Sequence, residues 1–138
     1  MRYLALDVGD ERIGLALSDE RGVLARPLET IRRVAGPASF QHIATLVAEQ
    51  GVGEIVVGLP LLEGGGEGKQ TASVHAYVRG LREHVAVPIV YWDERYSTRR
   101  AQEHMAESGR SRRHRRRQVD AVAAAVILQE YLDEQNSP

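Results

Sequence analysis

Residues 4–16 of the chain read Leu4-Ala5-Leu6-Asp7-Val8-Gly9-Asp10-Glu11-Arg12-Ile13-Gly14-Leu15-Ala16. Two short apolar runs, Tyr3 to Val8 and Arg12 to Ser18, flank the polar stretch Gly9-Asp10-Glu11, which is typical of a hairpin turn. A third strand is predicted from about Val23 to Ile31. Three consecutive strands joined by tight turns predict an antiparallel meander.

Beyond this meander the spacing of apolar residues changes to that of a helix, from Pro37 to Gly51. Glu54 to Leu59 is a continuous apolar run, typical of a strand that is covered on both faces. The remaining predicted elements are a helix over Thr71–Glu83, a strand over Pro88–Asp93, and helices over Ser97–Glu107 and Val119–Glu134. The order β-β-β-α-β-α-β-α-α predicts one α/β domain over residues 1–138. In this domain a mixed sheet has three antiparallel strands, then parallel strands, and helices on both faces.

The composition excludes several classes of protein. Hydrophobic residues make up 43% of the 138 residues and charged residues 27%, which is ordinary for a globular domain. No apolar run approaches the roughly 20 residues of a membrane helix, and an acid at position 7 argues against a signal peptide. Without cysteine there is neither a disulfide framework nor a thiolate metal site. We therefore expect a cytoplasmic enzyme or binding module with no membrane partner.

Positive charge is concentrated in one segment, although the formal net charge of the chain is −1. The segment lies just before Asp120, is predicted as a basic loop, and contains Arg110, Arg112, Arg113, Arg115, Arg116 and Arg117. The rest of the chain is acidic, and this asymmetry indicates a localised contact with a polyanion. A solvated run of charge is an equally good interpretation of an arbitrary basic segment.

Acidic residues follow or interrupt three predicted elements. Asp7 lies inside an apolar strand, where an unpaired carboxylate costs several kcal/mol unless it binds a cation. Asp93 and Glu94 close a buried strand, at the end where α/β proteins bind ligands. Asp120 is predicted in the first turn of the last helix. Taken singly, each acid has a simpler explanation: a turn cap for Asp7, a helix cap for Asp93, and the helix dipole for Asp120.

Taken together, these acids can converge on one point, because strand ends and a C-terminal helix can meet at the same edge of a sheet. Hard divalent cations such as Mg²⁺ and Mn²⁺ prefer oxygen ligands of this kind. Two such ions roughly 3.5–4 Å apart can activate water and stabilise the leaving oxygen of a phosphodiester. The sequence therefore favours a metal-dependent nuclease.

Four sequence blocks, which span nearly the whole chain, resemble the motifs of the YqgF/RuvX family in the family's order. They are Leu6 to Ala16, Val56-Val57-Gly58-Leu59-Pro60-Leu61, Asp93-Glu94-Arg95-Tyr96-Ser97-Thr98 and Asp120 to Gln129. The family is described as Holliday junction resolvases and as nucleases that process the 5′ end of pre-16S ribosomal RNA. The resemblance implies a ribonuclease H-like fold, related to the resolvase RuvC, and Mg²⁺ or Mn²⁺ held by acids.

The resemblance also implies roles for individual residues. Asp7, Glu94 and Asp120 become the catalytic acids and metal ligands, with Asp93 as the alternative to Glu94, because adjacent strand residues face opposite ways. We choose Glu94 for its reach. The nucleic-acid-binding residues implied by the motifs and the basic segment are Arg12, Arg95, Ser97, Thr98, Arg110, Arg112, Arg113, Arg115, Arg116 and Arg117.

The expected partner is branched DNA or pre-ribosomal RNA, and the sequence does not choose between them. Resolving a four-way junction needs two symmetric cuts and so predicts a two-fold homodimer, whereas a monomer favours the RNA substrate. Two other classes stay open. In one, the chain is a non-catalytic RNA- or ribosome-binding module in which the acids are structural. In the other, residues 7–16 form a phosphate loop like that of the actin and Hsp70 ATPases, although those proteins need two lobes.

Overall fold

The computed structural model describes residues 1–93 and 112–137, and for residues 112–118 it describes the backbone alone. Its strands form one five-stranded sheet in the order β3-β2-β1-β4-β5. β2 is antiparallel to both of its neighbours, β1 and β3, whereas β4 and β5 run parallel to β1. The strands are β1 (Arg2–Val8), β2 (Arg12–Ser18), β3 (Ala25–Arg32), β4 (Val52–Leu59) and β5 (Ile89–Asp93), and the helices are α1 (Ala38–Gln50), α2 (Lys69–Leu81) and α3 (Arg112–Gln135). The predicted mixed sheet is confirmed.

The N-terminal hairpin forms where the sequence predicts it. The Gly9 amide donates to the Arg12 carbonyl at 2.8 Å, which closes the turn between β1 and β2. β3 begins at Ala25 rather than at the predicted Val23. The reason is local: the Asp19 carboxylate accepts hydrogen bonds from the Val23 and Leu24 amides, at 2.8 and 3.0 Å, and this keeps both residues in the preceding turn.

One face of the sheet is covered by α1 and α2. The core on this face consists of large aliphatic side chains from the strands and from both helices. Examples that are fully buried are Leu4, Leu6, Leu15, Ile43 and Val74. α1 ends at Gly51, as predicted, because this glycine adopts a left-handed conformation with φ of 65°. This face holds the greater part of the buried aliphatic core.

The opposite face is covered by α3 alone among the described elements. Small residues of the strands, Ala5 and Ala16, pack with Val56 against Ala124 and Ile127 of the helix. The Gln129 side chain fixes the helix to the β2–β3 turn, because it accepts from the Ala25 amide and donates to the Val23 carbonyl, both at 2.9 Å. The prediction of helices on both faces is therefore confirmed.

The start of the last helix differs from the prediction. α3 begins at Arg112 and not at Val119, so the segment predicted as a basic loop is helical from Arg112 onward. Arginine is a good helix former, and neither glycine nor proline interrupts residues 112–119. Asp120 consequently lies two turns inside the helix rather than in its first turn. The predicted helix over Ser97–Glu107 falls outside the described residues and stays a prediction.

Within the described ranges, no helix is both long and apolar enough to cross a membrane.

Candidate active site

Asp7 lies near the carboxyl end of β1 and is partly buried on the face covered by α3. Strand alternation places it on the same face as Ala5, which packs against α3. Its partner on β2 is Gly14, directly opposite in the antiparallel register. On β4, Leu6 is aligned with Val57, so Gly58 follows beside Asp7. Glycines on both neighbouring strands leave the space around this carboxylate free of their side chains.

Gly14 is also the place where α3 touches the sheet. A Cβ atom built on Gly14 would lie 1.8 Å from the Asp120 carbonyl oxygen and 2.9 Å from the Ala121 nitrogen. No other residue type fits, because both neighbours are backbone atoms that cannot rotate away. The same glycine therefore stands opposite Asp7 and against the backbone of Asp120. It brings the first strand acid and the helix acid to one place, 113 positions apart in the numbering of the chain.

The Asp120 carboxylate carries a direct ion pair. Arg12 Nε donates to Asp120 Oδ2 at 2.7 Å, and the two side chains are only 32% and 20% exposed. Burial raises the pKa of the Asp120 carboxyl above its usual range, and the Arg12 guanidinium acts in the opposite direction. Arg12, Gly14 and Ala16 alternate onto the α3 face of β2, so Arg12 lies at the edge of the same site.

Asp93 ends β5 at the carboxyl edge of the sheet, but it does not share the face of Asp7. Tyr91 packs in the core under α1 and α2, whereas Trp92 packs against the α3 core. Alternation therefore places Asp93 with Tyr91, on the face opposite Asp7. The other site residues predicted near it, together with one arginine of the basic segment, lie outside the described residues: Glu94, Arg95, Ser97, Thr98 and Arg110.

The remaining arginines of the basic segment occupy the start of α3. They are Arg112, Arg113, Arg115, Arg116 and Arg117. These five arginines and Asp120 belong to one continuous helix, which gives their backbones a fixed relative position.

A family model described as "RuvX: Holliday junction resolvase" matches residues 1–134. The chain belongs to this family. Two relatives named "Putative pre-16S rRNA nuclease" match it over nearly their full length. The protein of Thermoanaerobacter pseudethanolicus is 42% identical over 138 residues, with 99% of each chain covered, and that of Anaeromyxobacter sp. (strain Fw109-5) is 46% identical over 133 residues, with 96% of this chain and 97% of the relative covered.

Solved structures show the same fold. Thermus thermophilus RuvC in complex with a Holliday junction substrate matches with a TM-score of 0.59 at 13% identity, covering 99% of this chain and 96% of that one. The fowlpox virus resolvase bound to Holliday junction DNA matches with a TM-score of 0.57 at 9% identity, covering 99% and 100%. The RuvX chain thus has the ribonuclease H-like fold of RuvC-type resolvases. It is a nuclease, a hydrolase of the endonuclease class.

The RuvX turn after Asp7 is held by a network that sequence reasoning missed. Arg33 donates to the Gly9 carbonyl at 3.1 Å and to Ser73 Oγ at 2.8 Å, and Ser73 Oγ donates to Asp10 Oδ1 at 3.1 Å. The Arg33 guanidinium also lies 5.1 Å from the centre of the Tyr77 ring. This network ties α2 to the β1–β2 turn. It therefore fixes the backbone of the turn that lies between Asp7 and Arg12.

The available donors suit a hard cation, because Asp7 and Asp120 offer carboxylate oxygens at the end of a buried strand. In the part of the chain that the structure describes, no group of three or more Asp, Glu or His side chains is arranged to hold a metal ion. Two carboxylates from two elements are thus in place. Glu94, the third acid of the predicted set, lies outside the described residues.

One signal of this site was readable in the sequence and was not used. Gly14 interrupts the apolar strand Arg12–Ser18, and a glycine inside a strand indicates close approach of another backbone. The contact between Arg12 and Asp120 had no comparable signal, because an ion pair between distant residues leaves no local pattern.

Proposed function

We propose that the chain is a Mg²⁺- or Mn²⁺-dependent endonuclease whose metal ligands are Asp7, Glu94 and Asp120. The observation that carries the proposal is the contact of α3 with Gly14, because it brings Asp120 beside Asp7 at the carboxyl end of β1. Both acids lie within the residues that the family model matches. Two carboxylates held at a partly buried site repel each other, and a divalent cation between them removes this cost.

A bound divalent cation would lower the pKa of a water molecule and stabilise the charge on the leaving oxygen of a phosphodiester. The protein's own contribution is position. β1 holds Asp7 in a rigid sheet, and the Gly14 contact fixes the backbone of Asp120.

Glu94 rather than Asp93 is the third ligand in this proposal. Asp93 alternates onto the face opposite Asp7, together with Tyr91. If the chain stayed extended for one more position, that next residue would alternate onto the face that Trp92 shares with Ala5. The alternation of the described part of β5 supports the choice of Glu94, which rested on side-chain length in the sequence.

The basic segment would hold the substrate backbone. Arginine binds phosphate oxygens in a bidentate manner, and five arginines precede Asp120 on the same helix. Their mutual repulsion would be relieved by a bound polyanion. The complete proposed set of nucleic-acid contacts is Arg12, Arg95, Ser97, Thr98, Arg110, Arg112, Arg113, Arg115, Arg116 and Arg117.

For the substrate we propose structured nucleic acid, either the 5′ end of pre-16S ribosomal RNA or a four-way DNA junction. The first is the activity in the names of relatives that are 42–46% identical over nearly the whole chain, and the second is the description of the family. Junction resolution further requires a two-fold homodimer. Residues 1–138 act as one domain in this proposal, and the proposed location is the cytoplasm.

The decisive experiment compares cleavage of a four-way junction with cleavage of a pre-16S RNA 5′ leader, each with Mg²⁺, with Mn²⁺ and with EDTA. We expect metal-dependent cleavage of at least one substrate by the wild type and none by Asp7→Asn. Asp93→Asn is the matched control, since it removes the same charge on the opposite face. Cleavage in EDTA, or full activity of a folded Asp7→Asn, would overturn the proposal.

A further inference from the structure

Arg12 makes an ion pair with the acid that the proposed function assigns to the metal. Its Nε lies 2.7 Å from Asp120 Oδ2, and its Nη1 lies 3.8 Å from Oε2 of the exposed Glu11. Thus the same guanidinium that the sequence motifs assign to nucleic acid binds a carboxylate inside the site. A single side chain cannot donate from Nε to this carboxylate and also place its full fork on a phosphate.

We infer that Arg12 is an exchangeable counter-ion of Asp120: a divalent cation displaces its guanidinium from the carboxylate, and the guanidinium then binds a phosphate of the nucleic acid. This inference rests on the proposed function. It assigns Arg12 a second role, as a competitor of the metal, in addition to contact with the substrate.

The competition follows from charge. A guanidinium at hydrogen-bonding distance from Oδ2 and a divalent cation bound to the same carboxylate would be positive charges only a few ångströms apart. Their repulsion is poorly screened, because the Asp120 side chain is only 20% exposed. Metal binding at Asp120 must therefore either displace Arg12 or be weakened by it.

The surroundings of Arg12 permit this displacement without movement of the sheet. Its backbone is fixed in the sheet. The Arg12 carbonyl accepts a hydrogen bond from the Gly9 amide, and Arg12 pairs with Arg32 on the neighbouring strand β3. Its side chain is about a third exposed and lies at the first position of β2, beside the solvent-exposed Glu11. Rotation of the side chain alone would move the guanidinium from Asp120 toward solvent, where a substrate phosphate would meet it.

Exchange makes two binding events cooperative. A cation that releases Arg12 raises the affinity for phosphate, and by linkage a phosphate that takes Arg12 raises the affinity for the cation. The opposite result is expected if Arg12 merely orients Asp120 for the metal. In that case removal of the guanidinium would weaken cation binding. The two roles therefore differ in the sign of a measurable change.

The first test titrates Mn²⁺ alone into the metal-free full chain by calorimetry. Arg12→Gln should bind Mn²⁺ about tenfold more tightly than the wild type, within the range typical of coupled sites. Arg2→Gln is the matched control, because it breaks another arginine–carboxylate pair, with Glu20 at 3.3 Å, near the start of β1. Its Mn²⁺ affinity should equal that of the wild type. An unchanged or weaker affinity in Arg12→Gln would overturn the exchange.

Asp120→Asn separates this failure from failure of the proposed function. If the wild type binds no Mn²⁺, or if Asp120→Asn binds it as tightly as the wild type does, the proposed metal site is wrong and the exchange is overturned with it. If Asp120→Asn loses affinity while Arg12→Gln does not gain it, the metal site stands and the exchange alone is wrong. Thermal unfolding of each variant establishes that it is folded.

The second test asks whether the released guanidinium binds a phosphate of the nucleic acid. The probe is a phosphorothioate DNA duplex that resists hydrolysis, and its affinity is measured by fluorescence anisotropy. With Mn²⁺ present, Arg12→Gln should bind the duplex about threefold more weakly than the wild type, since one phosphate contact is lost. In EDTA the two proteins should bind it equally, because Arg12 is then held by Asp120. An equal loss in both conditions would overturn the exchange.

Discussion

The two faces of the sheet are built from different residues. The face under α1 and α2 is filled by branched aliphatic side chains, such as Leu4, Leu6 and Ile43, which are fully buried. The face under α3 has small residues on β1 and β2, Ala5 and Ala16, and toward the carboxyl end of β1 it becomes charged, with Asp7 and Asp120. The first face is suited to bury apolar area. The second allows a helix backbone to approach closely and brings carboxylates together.

This division predicts that substitutions on the two faces fail in different ways. Truncation of the aliphatic face should lower the free energy of unfolding while leaving the activity of the folded fraction intact. Neutralisation of the charged face should abolish activity, and it should lower the free energy of unfolding less than an aliphatic truncation does, because these carboxylates are only partly buried.

The largest effect is expected for Asp120→Asn on the charged face. Loss of a metal ligand should reduce the cleavage rate on the order of 10³-fold, equivalent to about 4 kcal/mol of transition-state stabilisation. Single-turnover kinetics on the substrate that the wild type cleaves measures this change. Asp93→Asn, on the other face, should keep activity within about tenfold of the wild type; an equal loss in both variants would show that the faces do not differ.

On the aliphatic face, Leu6→Ala should destabilise the protein by about 3 kcal/mol, since it leaves a cavity in a fully buried site. Urea unfolding followed by circular dichroism measures this loss. Leu24→Ala is the control, because Leu24 is 67% exposed and its truncation should change the free energy of unfolding by less than about 0.5 kcal/mol. Comparable losses in the two variants would contradict the location of the core.

Gly14→Ala tests whether the close contact between α3 and β2 contributes both to stability and to activity. Its Cβ atom would overlap the Asp120 carbonyl, so α3 must shift, at a cost of about 1–3 kcal/mol. Because the shift moves Asp120 away from Asp7, we expect the activity of the folded protein to fall as well. Gly64→Ala meets no atom within 4 Å and should change neither. A Gly14→Ala variant with normal stability and activity would refute the close contact of helix and sheet.

The smallest effect is a pH dependence at the far end of the α3 face. Burial, with help from Glu54, raises the pKa of Tyr131 to about 12 from its ordinary value of 10.0. The folded state therefore holds the phenol proton more tightly than the unfolded chain does. The stability from this difference is complete below pH 10 and is lost as the pH rises toward about 12. Tyr131→Phe should lose less stability over this interval, and parallel curves for the two proteins would contradict the shift.

The sequence predicted the elements whose signals are local. The hairpin of β1 and β2, the end of α1 at Gly51 and the buried run of β4 each depend on neighbouring residues, and each is confirmed. The start of α3 was misplaced, because a run of arginine was interpreted as a loop although arginine favours helix. Local sequence patterns thus predict that a helix or strand exists better than they predict the residue at which it begins.

The site was predictable in part. Asp7 and Asp120 could be selected because an acid in a buried strand needs a partner and because both lie in recognisable motifs. The ion pair of Arg12 with Asp120 joins residues 108 positions apart, and the Arg33–Ser73 contact joins residues 40 apart. Contacts of this kind follow from the packing of α3 and α2 on the sheet, which a local pattern does not encode.

The measurement that tests the central claim most directly is the location of Mn²⁺ by anomalous diffraction, in crystals grown with manganese at a concentration that supports cleavage. The account predicts an anomalous peak at coordination distance, about 2.0–2.6 Å, from carboxylate oxygens of both Asp7 and Asp120. A peak bound by neither acid, or no peak on the α3 face at a concentration that saturates activity, would contradict it.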